Sequence, residues 1–394
     1  MSRRNRERSA RGESLVGRRF EVSVGAVAHG GFCVARVAID GAEDPGRVVF
    51  VRHAIPGERV EIEITEGSEG DRFWRADAVE ILEPSPDRVE APCVYAGPGR
   101  CGGCDFQHVA ERAQRELKAA VVREQLVRVA KWEPSDPRLT GLEVTRVGEP
   151  LRWRSRAGLV PIPGGTFGMH GARSDRLIEV DDCLIATEDA VAEVRARREP
   201  GIETRTVVAA GRENEFVMAT DGFWQPHKDA PSVLADAVME ALQPRPGERV
   251  LDLYAGVGLF AKFLLDAVGA RGGVAAVEGD RVAAGHARRN LGEGRRARVI
   301  AGPVEKVLAE ALDEPFDLVV LDPPRVGAKR AVVEQIVDRA PRAVAYVACD
   351  PAALARDVAI FAEHGYTVTS LRAFDLFPMT HHVECVALLE KSGD

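Results

Sequence analysis

The sequence lacks a long apolar run, and it contains few cysteines and few aromatic residues among its 394 positions. No segment reaches the roughly 18 consecutive apolar residues of a membrane span. The first residues, MSRRNRERSARG, lack the apolar core of a signal peptide. Seven unevenly spaced cysteines do not suit the disulfide framework of a secreted protein. We therefore expect a cytoplasmic monomer without a membrane partner, in which clustered cysteines more often bind metal.

An excess of basic residues is also missing, because the formal net charge is −8 and the pI is about 5.7. Domains that bind phosphates are usually basic overall, so this balance argues mildly against a nucleic-acid partner and moves the question to local charge. The first twelve residues carry Arg3, Arg4, Arg6, Arg8 and Arg11 against Glu7 alone. We interpret residues 1–14 as a disordered basic arm that either contacts nucleic acid or only aids solubility.

Short alternating apolar runs broken by glycine extend from about residue 16 to residue 82: RRFEVSVGAV, GGFCVARVAI, GRVVFVRHAI, ERVEIEITEG and RADAVEIL. Alternation at period two indicates half-buried strands. Five short strands in succession predict a small closed barrel of the oligonucleotide-binding kind over residues 15–84. The linker EPSPDRVEAP ends it, and residues 85–222 are predicted to form a mixed α+β central domain with a helix at about 108–131.

Strands and helices alternate from about Ser232 onward, as in a doubly wound α/β sheet. The strands are RVLDLYA, GVAAVEG, ARVIAG, FDLVVLD and AVAYVAC. Two further extended runs, YTVTSLRAFDLF and HHVECVALLE, predict an antiparallel hairpin at one sheet edge. That addition is typical of S-adenosylmethionine methyltransferases rather than of dehydrogenases. We therefore predict a Rossmann-like class I methyltransferase domain over residues 223–394.

A strand, a glycine turn and a helix in LDLYAGVGLFAKFLL indicate the cofactor site. Gly256 and Gly258 let the backbone approach a ligand beside the helix N-terminus. Glu278 ends the next strand, where a carboxylate can accept hydrogen bonds from both ribose hydroxyls. NAD suits a similar geometry, but its G-x-G-x-x-G pattern is met only in part because residue 261 is alanine.

The turn after the fourth strand decides between these cofactors. FDLVVLDPPR places Asp322 before two prolines, where methyltransferases hold the methyl acceptor beside the sulfonium. Enzymes that methylate exocyclic amines usually have an aromatic residue after Asp-Pro-Pro, whereas this chain has Arg325. The pattern favours S-adenosylmethionine and argues against amine methylation.

Cys349 and Glu384 form the predicted catalytic pair. Cys349 closes the fifth strand just before a helix, whose N-terminal dipole is expected to favour the thiolate. Glu384 lies in the last strand between Val383 and Cys385, so it faces opposite to them and can reach the same edge. A thiolate that adds to carbon 6 of uracil makes carbon 5 nucleophilic enough to accept a methyl group, and a base must then remove the carbon 5 proton.

Together, DLYAGVG, LDPPR, YVACDP and FPMTHHVE resemble the RNA 5-methyluridine methyltransferase family over nearly the whole chain, and GGFCVAR and FVRHAIPGE resemble the TRAM barrel that some members carry. The resemblance implies that Cys349 is the nucleophile and Glu384 the proton acceptor. It also implies S-adenosylmethionine contacts from Gln225, Tyr254, Glu278 and Asp322. Two positions depart from the family pattern: Asp350 replaces a common Asn, and Cys33 replaces a common Gly.

A second group of cysteines lies outside these motifs. Cys93, Cys101 and Cys104 are spaced C-x7-C-x2-C in a glycine-rich loop, and Cys183 follows much later. From chemistry alone, four thiolates suit zinc and an iron–sulfur cluster equally well. Family members with a comparable group carry a 4Fe–4S cluster, although the first gap here is two residues longer than in the enterobacterial pattern. The resemblance thus implies a structural 4Fe–4S cluster, with zinc as the alternative.

Three other functions are weighed against this one. A radical methylthiotransferase also joins a TRAM barrel to an iron–sulfur cluster, but its C-x3-C-x2-C motif is absent and its barrel lies at the other end. An RNA 5-methylcytosine methyltransferase uses a further cysteine where this chain has Pro323 and Pro324. An RNA-binding protein without catalysis would not need both Cys349 and Glu384. Because barrel and cysteine group occur together, the chain resembles the 23S ribosomal RNA members more than the bacterial tRNA members.

Arg152, Arg154 and Arg156 recur at period two in LRWRSRAGLV. On a strand the three side chains would share one face about 7 Å apart and clamp successive phosphates. The other interpretation is an edge strand that its charge protects from aggregation.

Overall fold

The computed structural model describes residues 12–38, 46–156, 158–162, 166–196, 200–292 and 294–391. Most of the predicted basic arm, residues 1–11, therefore lies outside the described residues. The chain divides into two units. The first unit comprises the chain up to Val121 with Gly158–Ile185 and Phe377–His382, and the second comprises Val122–Ala157, Ala186–Leu376 and the chain from Val383.

The N-terminal barrel lies in the first unit. Its strands are β1 (Arg19–Ser23), β2 (Val27–Ala28), β3 (Phe32–Val37), β4 (Arg47–Arg52), β5 (Arg59–Glu66) and β6 (Phe73–Glu83). They form one sheet in the order β1-β5-β6-β4-β3-β2. Alternate side chains point inward, as in β5, where Val60, Ile62 and Ile64 are buried. The predicted barrel is confirmed, with the short β2 as a strand that the sequence pattern did not separate from β1.

A glycine lets the chain after β1 close the barrel. Gly25 N–H donates to the Val34 carbonyl at 2.7 Å, and Val34 N–H donates to the Ala26 carbonyl at 2.9 Å. A Cβ at Gly25 would lie 2.9 Å from the Val34 oxygen, so the approach requires glycine. Residues between β1 and β2 thus pair with β3 and join the two edges of the sheet.

The rest of the first unit holds a small sheet and the start of a long helix. The strands β8 (Val160–Pro161), β9 (Phe167–His170) and β10 (Leu177–Val180) pair in the order β10-β9-β8. The helix α1 (Glu111–Arg128) packs Leu117 and Val121 against the barrel core. The helix predicted at about 108–131 is confirmed, although it ends before the exposed Val129.

An eight-stranded sheet forms the centre of the second unit. Its strands are β7 (Val144–Arg146), β13 (Arg249–Leu253), β14 (Gly273–Glu278), β15 (Ala297–Ala301), β16 (Leu318–Leu321), β17 (Ala343–Ala348), β18 (Tyr366–Asp375) and β19 (Glu384–Lys391). Their order is β15-β14-β13-β16-β17-β19-β18-β7. The first five strands of this order are parallel, and β19 pairs antiparallel with both β17 and β18. The predicted class I methyltransferase fold and its terminal hairpin are confirmed, but β7 rather than the hairpin forms the edge of the sheet, because it pairs with β18.

Helices and a separate hairpin complete the second unit. They are α2 (Pro137–Thr140), α3 (Glu188–Ala196), the hairpin β11 (Ile202–Ala209) and β12 (Arg212–Ala219), α4 (Ala230–Leu242), α5 (Leu259–Val268), α6 (Arg281–Leu291), α7 (Val304–Ala311), α8 (Lys329–Asp338) and α9 (Pro351–Glu363). The strands β16 and β17 are buried along their whole length, as expected of a parallel sheet covered on both faces. None of the helices described has the length and apolarity needed to cross a membrane.

Candidate active site

The turn between β13 and α5 forms an open cradle. Tyr254, Gly256 and Gly258 all have positive φ, at 63°, 56° and 92°. Nothing in the described part of the chain lies within 4 Å of where a Cβ on Gly256 would be. Gly258 is the N-cap of α5, so the turn lies at the N-terminal end of this helix, where the first N–H groups have no partner within the helix. The turn can therefore accept an anionic or hydroxyl-bearing ligand at close range.

Glu278 is held in place at the end of β14. One carboxylate oxygen accepts the Gly256 N–H at 2.7 Å, and the other accepts the Asp280 N–H at 2.7 Å. Each oxygen keeps a further lone pair for a ligand hydroxyl. The residues present thus fit a ribose held beside the glycine turn, as the sequence predicts for Glu278 and Gly256.

Asp252 is a site residue that sequence reasoning missed. It is fully buried, and one of its oxygens accepts the Ala261 N–H at 2.9 Å. The other oxygen has no hydrogen-bond partner among the described residues. Burial, followed by the charges of Asp322 and Glu278, raises the pKa of Asp252 well above its usual range. A buried acidic residue inside the apolar strand RVLDLYA was the available signal.

Asp322 and Gln225 meet at the next strand end. The Gln225 amide donates to Asp322 Oδ2 at 2.9 Å. Burial raises the pKa of the Asp322 carboxyl, and the Gln225 hydrogen bond opposes that shift. Two residues 97 positions apart in the chain, each proposed from the sequence as a cofactor contact, therefore lie together.

Cys349 and Glu384 come from paired strands. Ala348 lies opposite Cys385 in the β17–β19 register, so Cys349 and Glu384 are the next residues in line. Glu384 is 2% exposed, and burial followed by the charge of Asp322 raises its pKa well above the usual range. The two predicted catalytic residues thus share the carboxyl edge of the sheet with Asp322.

The expected thiolate at Cys349 is not what the free protein favours. Burial first, then the charges of Glu384 and Asp322, raise the pKa of Cys349 to about 12, and Arg325 only partly opposes them. A helix dipole typically contributes about 0.3–1 kcal/mol, which is less than one pKa unit. The helix N-terminus also carries a negative charge already, because Asp350 caps α9 by accepting the Ala353 N–H at 2.9 Å. Cys349 is therefore a neutral thiol before substrates bind.

The loop that carries Arg325 is fixed from α9. Asp357 is fully buried, and its Oδ2 accepts the Ala328 N–H at 2.7 Å and the Tyr346 hydroxyl at 2.6 Å. Gly327 has φ 71°, and a Cβ there would lie 2.5 Å from the same carboxylate. The helix that follows Cys349 thus also positions the turn after β16.

The prediction of a strand over Arg152–Arg156 is wrong. Arg152 has φ 56°, and this segment makes only isolated bridges, both at Arg154. The guanidinium of Arg156 donates to Glu203 at 2.8 Å and to the Gly222 carbonyl. The reason is Trp153, which is 1% exposed and stacks on His227 at 5.5 Å, so the chain is drawn inward rather than extended.

The cysteine group belongs to the first unit, whereas Cys349 and Glu384 belong to the second. Burial raises the pKa of Cys104 to about 12, and the charges of Cys183, Cys101 and Cys93 add to this effect. Gly103 N–H donates to the Cys101 sulfur at 3.4 Å, and the Gln107 amide donates to the Cys104 sulfur at 3.3 Å. No set of three or more His, Cys, Asp or Glu side chains in the described ranges is arranged to hold a metal ion.

Comparison with known proteins adds to this geometry. The model of the tRNA (uracil-5-)-methyltransferase family matches residues 310–392, which carry Asp322, Cys349 and Glu384. The TRAM domain model matches residues 13–79, and the methyltransferase small domain model matches residues 228–346. An RNA methyltransferase of Streptomyces coelicolor is 44% identical over 96% of this chain and 94% of its own length. The 23S rRNA (uracil(1939)-C(5))-methyltransferase RlmD of Chromohalobacter salexigens is 34% identical over 92% of this chain and 89% of its own.

The chain belongs to the RNA (uracil-5-)-methyltransferase family. A crystal structure of the Pyrococcus abyssi tRNA (uracil-54, C5)-methyltransferase in complex with S-adenosyl-L-homocysteine has the same fold. It aligns with a TM-score of 0.64 at 20% identity, over 94% of this chain and 100% of that one. The N-terminal barrel is a TRAM domain, and the protein is an RNA (uracil-5-)-methyltransferase.

Proposed function

We propose that this uracil-5-methyltransferase uses S-adenosylmethionine to methylate a specific uridine of RNA through a covalent bond between Cys349 and carbon 6. The observation that carries the proposal is the meeting of Cys349 and Glu384 at the ends of β17 and β19, with Asp322 close enough to affect the pKa of both. Uracil needs a nucleophile at carbon 6 and a base for the carbon 5 proton, and a thiol and a carboxyl group at one edge suit these two roles.

Each residue has a distinct task in the proposed reaction. The Cys349 thiol loses its proton to solvent, the thiolate adds to carbon 6, and the resulting enolate makes carbon 5 nucleophilic. S-adenosylmethionine supplies the methyl group. Glu384, as the carboxylate, takes the carbon 5 proton, the ring double bond forms again, and Cys349 leaves. The burial of Glu384 suits this task, because a carboxylate with a raised pKa is a stronger base than an exposed one.

The methyl donor is proposed to lie along β13, β14 and β16. Glu278 would accept hydrogen bonds from the ribose, and the backbone at Gly256 would allow close contact. Tyr254 opens the same turn, while Gln225 and Asp322 would contact the donor near the reacting atoms. Such a position brings the donor to the edge where Cys349 lies.

We propose 23S ribosomal RNA as the substrate, with tRNA as the second candidate and the cytoplasm as the place of action. The support is the 34% identity to a relative named for a 23S rRNA uridine, over most of both chains. Mass-spectrometric mapping of 5-methyluridine in cells with and without the gene tests this choice. Loss of one 23S rRNA methyl group is expected, and loss from tRNA alone would replace the substrate.

Transfer of a labelled methyl group to RNA tests the reaction itself. The native enzyme should produce 5-methyluridine, and Cys349→Ala should produce none. Cys385→Ala is the matched control, because that buried neighbour of Glu384 faces the other side of the sheet. Substantial turnover by Cys349→Ala would reject the mechanism.

We also propose that Cys93, Cys101, Cys104 and Cys183 hold a structural 4Fe–4S cluster. The support is the family resemblance and the two N–H groups that donate to the sulfurs of Cys101 and Cys104, and the four sulfurs would have to move together, because the described residues do not hold them in a metal-binding arrangement. The cluster would tie the 93–104 loop to the segment after β10. Protein purified without oxygen should be brown and contain iron, and Cys104→Ser should lose both. Cys33→Ser, inside the barrel, should keep them, whereas colourless protein with one zinc per chain would favour zinc.

A further inference from the structure

The helix α6 carries a buried amide side chain that the proposed reaction does not use. Asn290, in the last turn of this helix, is 7% exposed. Its Nδ2 donates to the Val257 carbonyl at 2.9 Å and to the Val217 carbonyl at 3.0 Å, and its Oδ1 accepts the Val217 N–H at 2.9 Å. One side chain therefore joins the glycine turn after β13 to the hairpin of β11 and β12.

The contact with Val217 completes an open strand edge. In an antiparallel strand, the N–H and C=O groups of one residue point to the same side. Both groups of Val217 are bound to Asn290, so they face away from β11, which pairs with the other edge of β12. Backbone groups that are shielded from water need partners, and the amide supplies them as a neighbouring strand would.

The contact with Val257 reaches the proposed donor site. Val257 lies between Gly256, whose N–H binds the Glu278 carboxylate, and Gly258, which caps α5. A Cβ at Gly258 would lie 3.7 Å from Ala287 and 3.6 Å from Leu291, so α6 packs directly against this turn. A hydrogen bond to the Val257 carbonyl therefore fixes the turn at the point where the donor is proposed to bind.

The hairpin leads to a second proposed donor contact. The Phe216 ring of β12 lies 5.9 Å from the Trp224 ring and 6.2 Å from the Phe263 ring of α5, measured between ring centres. Trp224 directly precedes Gln225, whose amide donates to Asp322 at 2.9 Å. Packing of the hairpin thus also holds the segment that carries Gln225.

We propose that Asn290 is a positioning residue for the methyl donor, because it locks the glycine turn to the hairpin that leads to Gln225. The inference rests on the proposed donor site, in which the turn contacts one part of the donor and Gln225 another. Without the bridge, donor binding would have to order the two segments itself, and this lowers affinity.

Asn290→Asp tests the bridge. The carboxylate has nearly the same shape and can still accept the Val217 N–H, but it cannot donate to the two carbonyls. The Kd for S-adenosylhomocysteine, measured by calorimetry, and the KM for S-adenosylmethionine should both rise about tenfold. The KM for RNA and kcat at saturating donor should not change. Asn290→Ala, which introduces no charge, should give the same result.

Asn214→Ala is the matched control. Asn214 is a buried asparagine of the same hairpin, 9% exposed, and its amide donates to Asp266 of α5 at 3.3 Å rather than to the turn. This variant should lose stability to urea much as Asn290→Ala does, with a donor Kd within about twofold of the native value. Equal loss of donor affinity in both alanine variants would reduce Asn290 to a general brace of the hairpin and overturn the inference.

Glu278→Ala separates the inference from the proposed function, because it removes the proposed ribose contact. Native donor affinity in this variant would reject the donor site, and the role of Asn290 with it. Weak donor binding by Glu278→Ala, together with native affinity in both Asn290 variants, would reject only the role of Asn290.

Hydrogen exchange of the native enzyme tests the same bridge without a substitution. Saturation with S-adenosylhomocysteine should slow exchange in β12, because tightening of the glycine turn is passed to Val217 through Asn290. Mass spectrometry of peptides that contain β12 measures this effect. Unchanged exchange in β12, in enzyme that calorimetry shows to be saturated with the ligand, would overturn the inference.

Discussion

Cys349 shares its edge of the sheet with Glu384 and Asp322, and burial followed by the charges of these carboxylates raises the pKa of its thiol. The pKa reaches about 12, so the thiol is protonated at neutral pH. A positive charge placed beside Asp322 would weaken this effect and lower the pKa of Cys349. The sulfonium of S-adenosylmethionine carries such a charge, which would couple thiolate formation to binding of the methyl donor.

This coupling predicts a difference between two ligands of nearly the same shape. Alkylation of Cys349 by iodoacetamide at pH 8, followed by mass spectrometry, should be several-fold faster with S-adenosylmethionine than with the uncharged S-adenosylhomocysteine. The sign follows from a raised pKa, because a nearby cation increases the thiolate fraction on the acidic side of it. The two ligands differ only in the methyl group and its positive charge, so equal rates would refute the electrostatic coupling.

Glu384→Gln separates addition from release. The variant should still add Cys349 and accept the methyl group, but without a base at carbon 5 it should retain the methylated RNA as a covalent complex. Release should slow by about 10²–10⁴-fold, the usual contribution of a positioned base. Quantification of the complex on denaturing gels measures this, with Glu390→Gln at the far end of the same strand as control. Product release at the native rate would assign the base elsewhere.

The sequence alone predicts which residues lie at this edge of the sheet, but not their protonation states. Glu278, Asp322 and Cys349 each end a strand of one parallel sheet, and strand ends of one direction meet at one edge. The neutral thiol depends on burial and on carboxylates from distant strands. Neither follows from local sequence.

Among the elements, α9 both presents Cys349 and holds the turn after β16. Asp357→Asn would replace one acceptor by a donor, so either Arg356 or the Ala328 and Tyr346 donors would lose their partner. We expect a loss of about 1–3 kcal/mol in the free energy of unfolding, the usual cost of an unsatisfied buried group. Methyl transfer should fall while donor affinity is kept, because Glu278 is unaffected. Urea unfolding and donor titration measure these effects.

Asp338 is exposed at the end of α8, and Asp338→Asn is the control for Asp357→Asn. It should change the free energy of unfolding by no more than about 0.5 kcal/mol. If Asp357→Asn is equally mild, α9 does not fix the turn.

The segment around Arg156 is an irregular brace rather than a phosphate-binding strand. Arg156→Ala should lower the free energy of unfolding by about 1–3 kcal/mol, because Glu203 and the Gly222 carbonyl lose a partly buried partner. The salt dependence of RNA binding should not change. Arg146→Ala, whose ion pair with Glu149 is exposed, should cost less than about 1 kcal/mol. A shallower salt slope for Arg156→Ala would return the segment to the RNA interface.

The strand predicted around Arg156 is wrong because period-two spacing of arginines also occurs in a polar loop that buries one residue. Trp153 and its stacking partner His227 lie 74 positions apart in the chain, and no local sequence pattern predicts such a contact. By contrast, β13 to β17 were predicted correctly, since each is a mainly apolar run bounded by turns.

At the scale of the whole molecule, each of the two units is built from segments that are not consecutive in the sequence. Phe377–His382 lies between β18 and β19 yet groups with the first unit, and β7, far upstream, forms the outer edge of the second unit's sheet. Only Val144 is buried in β7, so its sequence carries little strand signal. Long-range pairing of this kind is decided by packing and not by periodicity.

RNA that carries 5-fluorouridine at the target position gives the decisive measurement of covalent catalysis by Cys349. After methyl transfer, fluorine at carbon 5 cannot leave as a proton does, so the enzyme should remain attached to the RNA. A shifted band that survives denaturation is expected for the native enzyme and for Cys385→Ala, and no such band for Cys349→Ala. A stable complex with Cys349→Ala, or methylated fluorouridine RNA released freely by the native enzyme, would contradict a covalent role for Cys349.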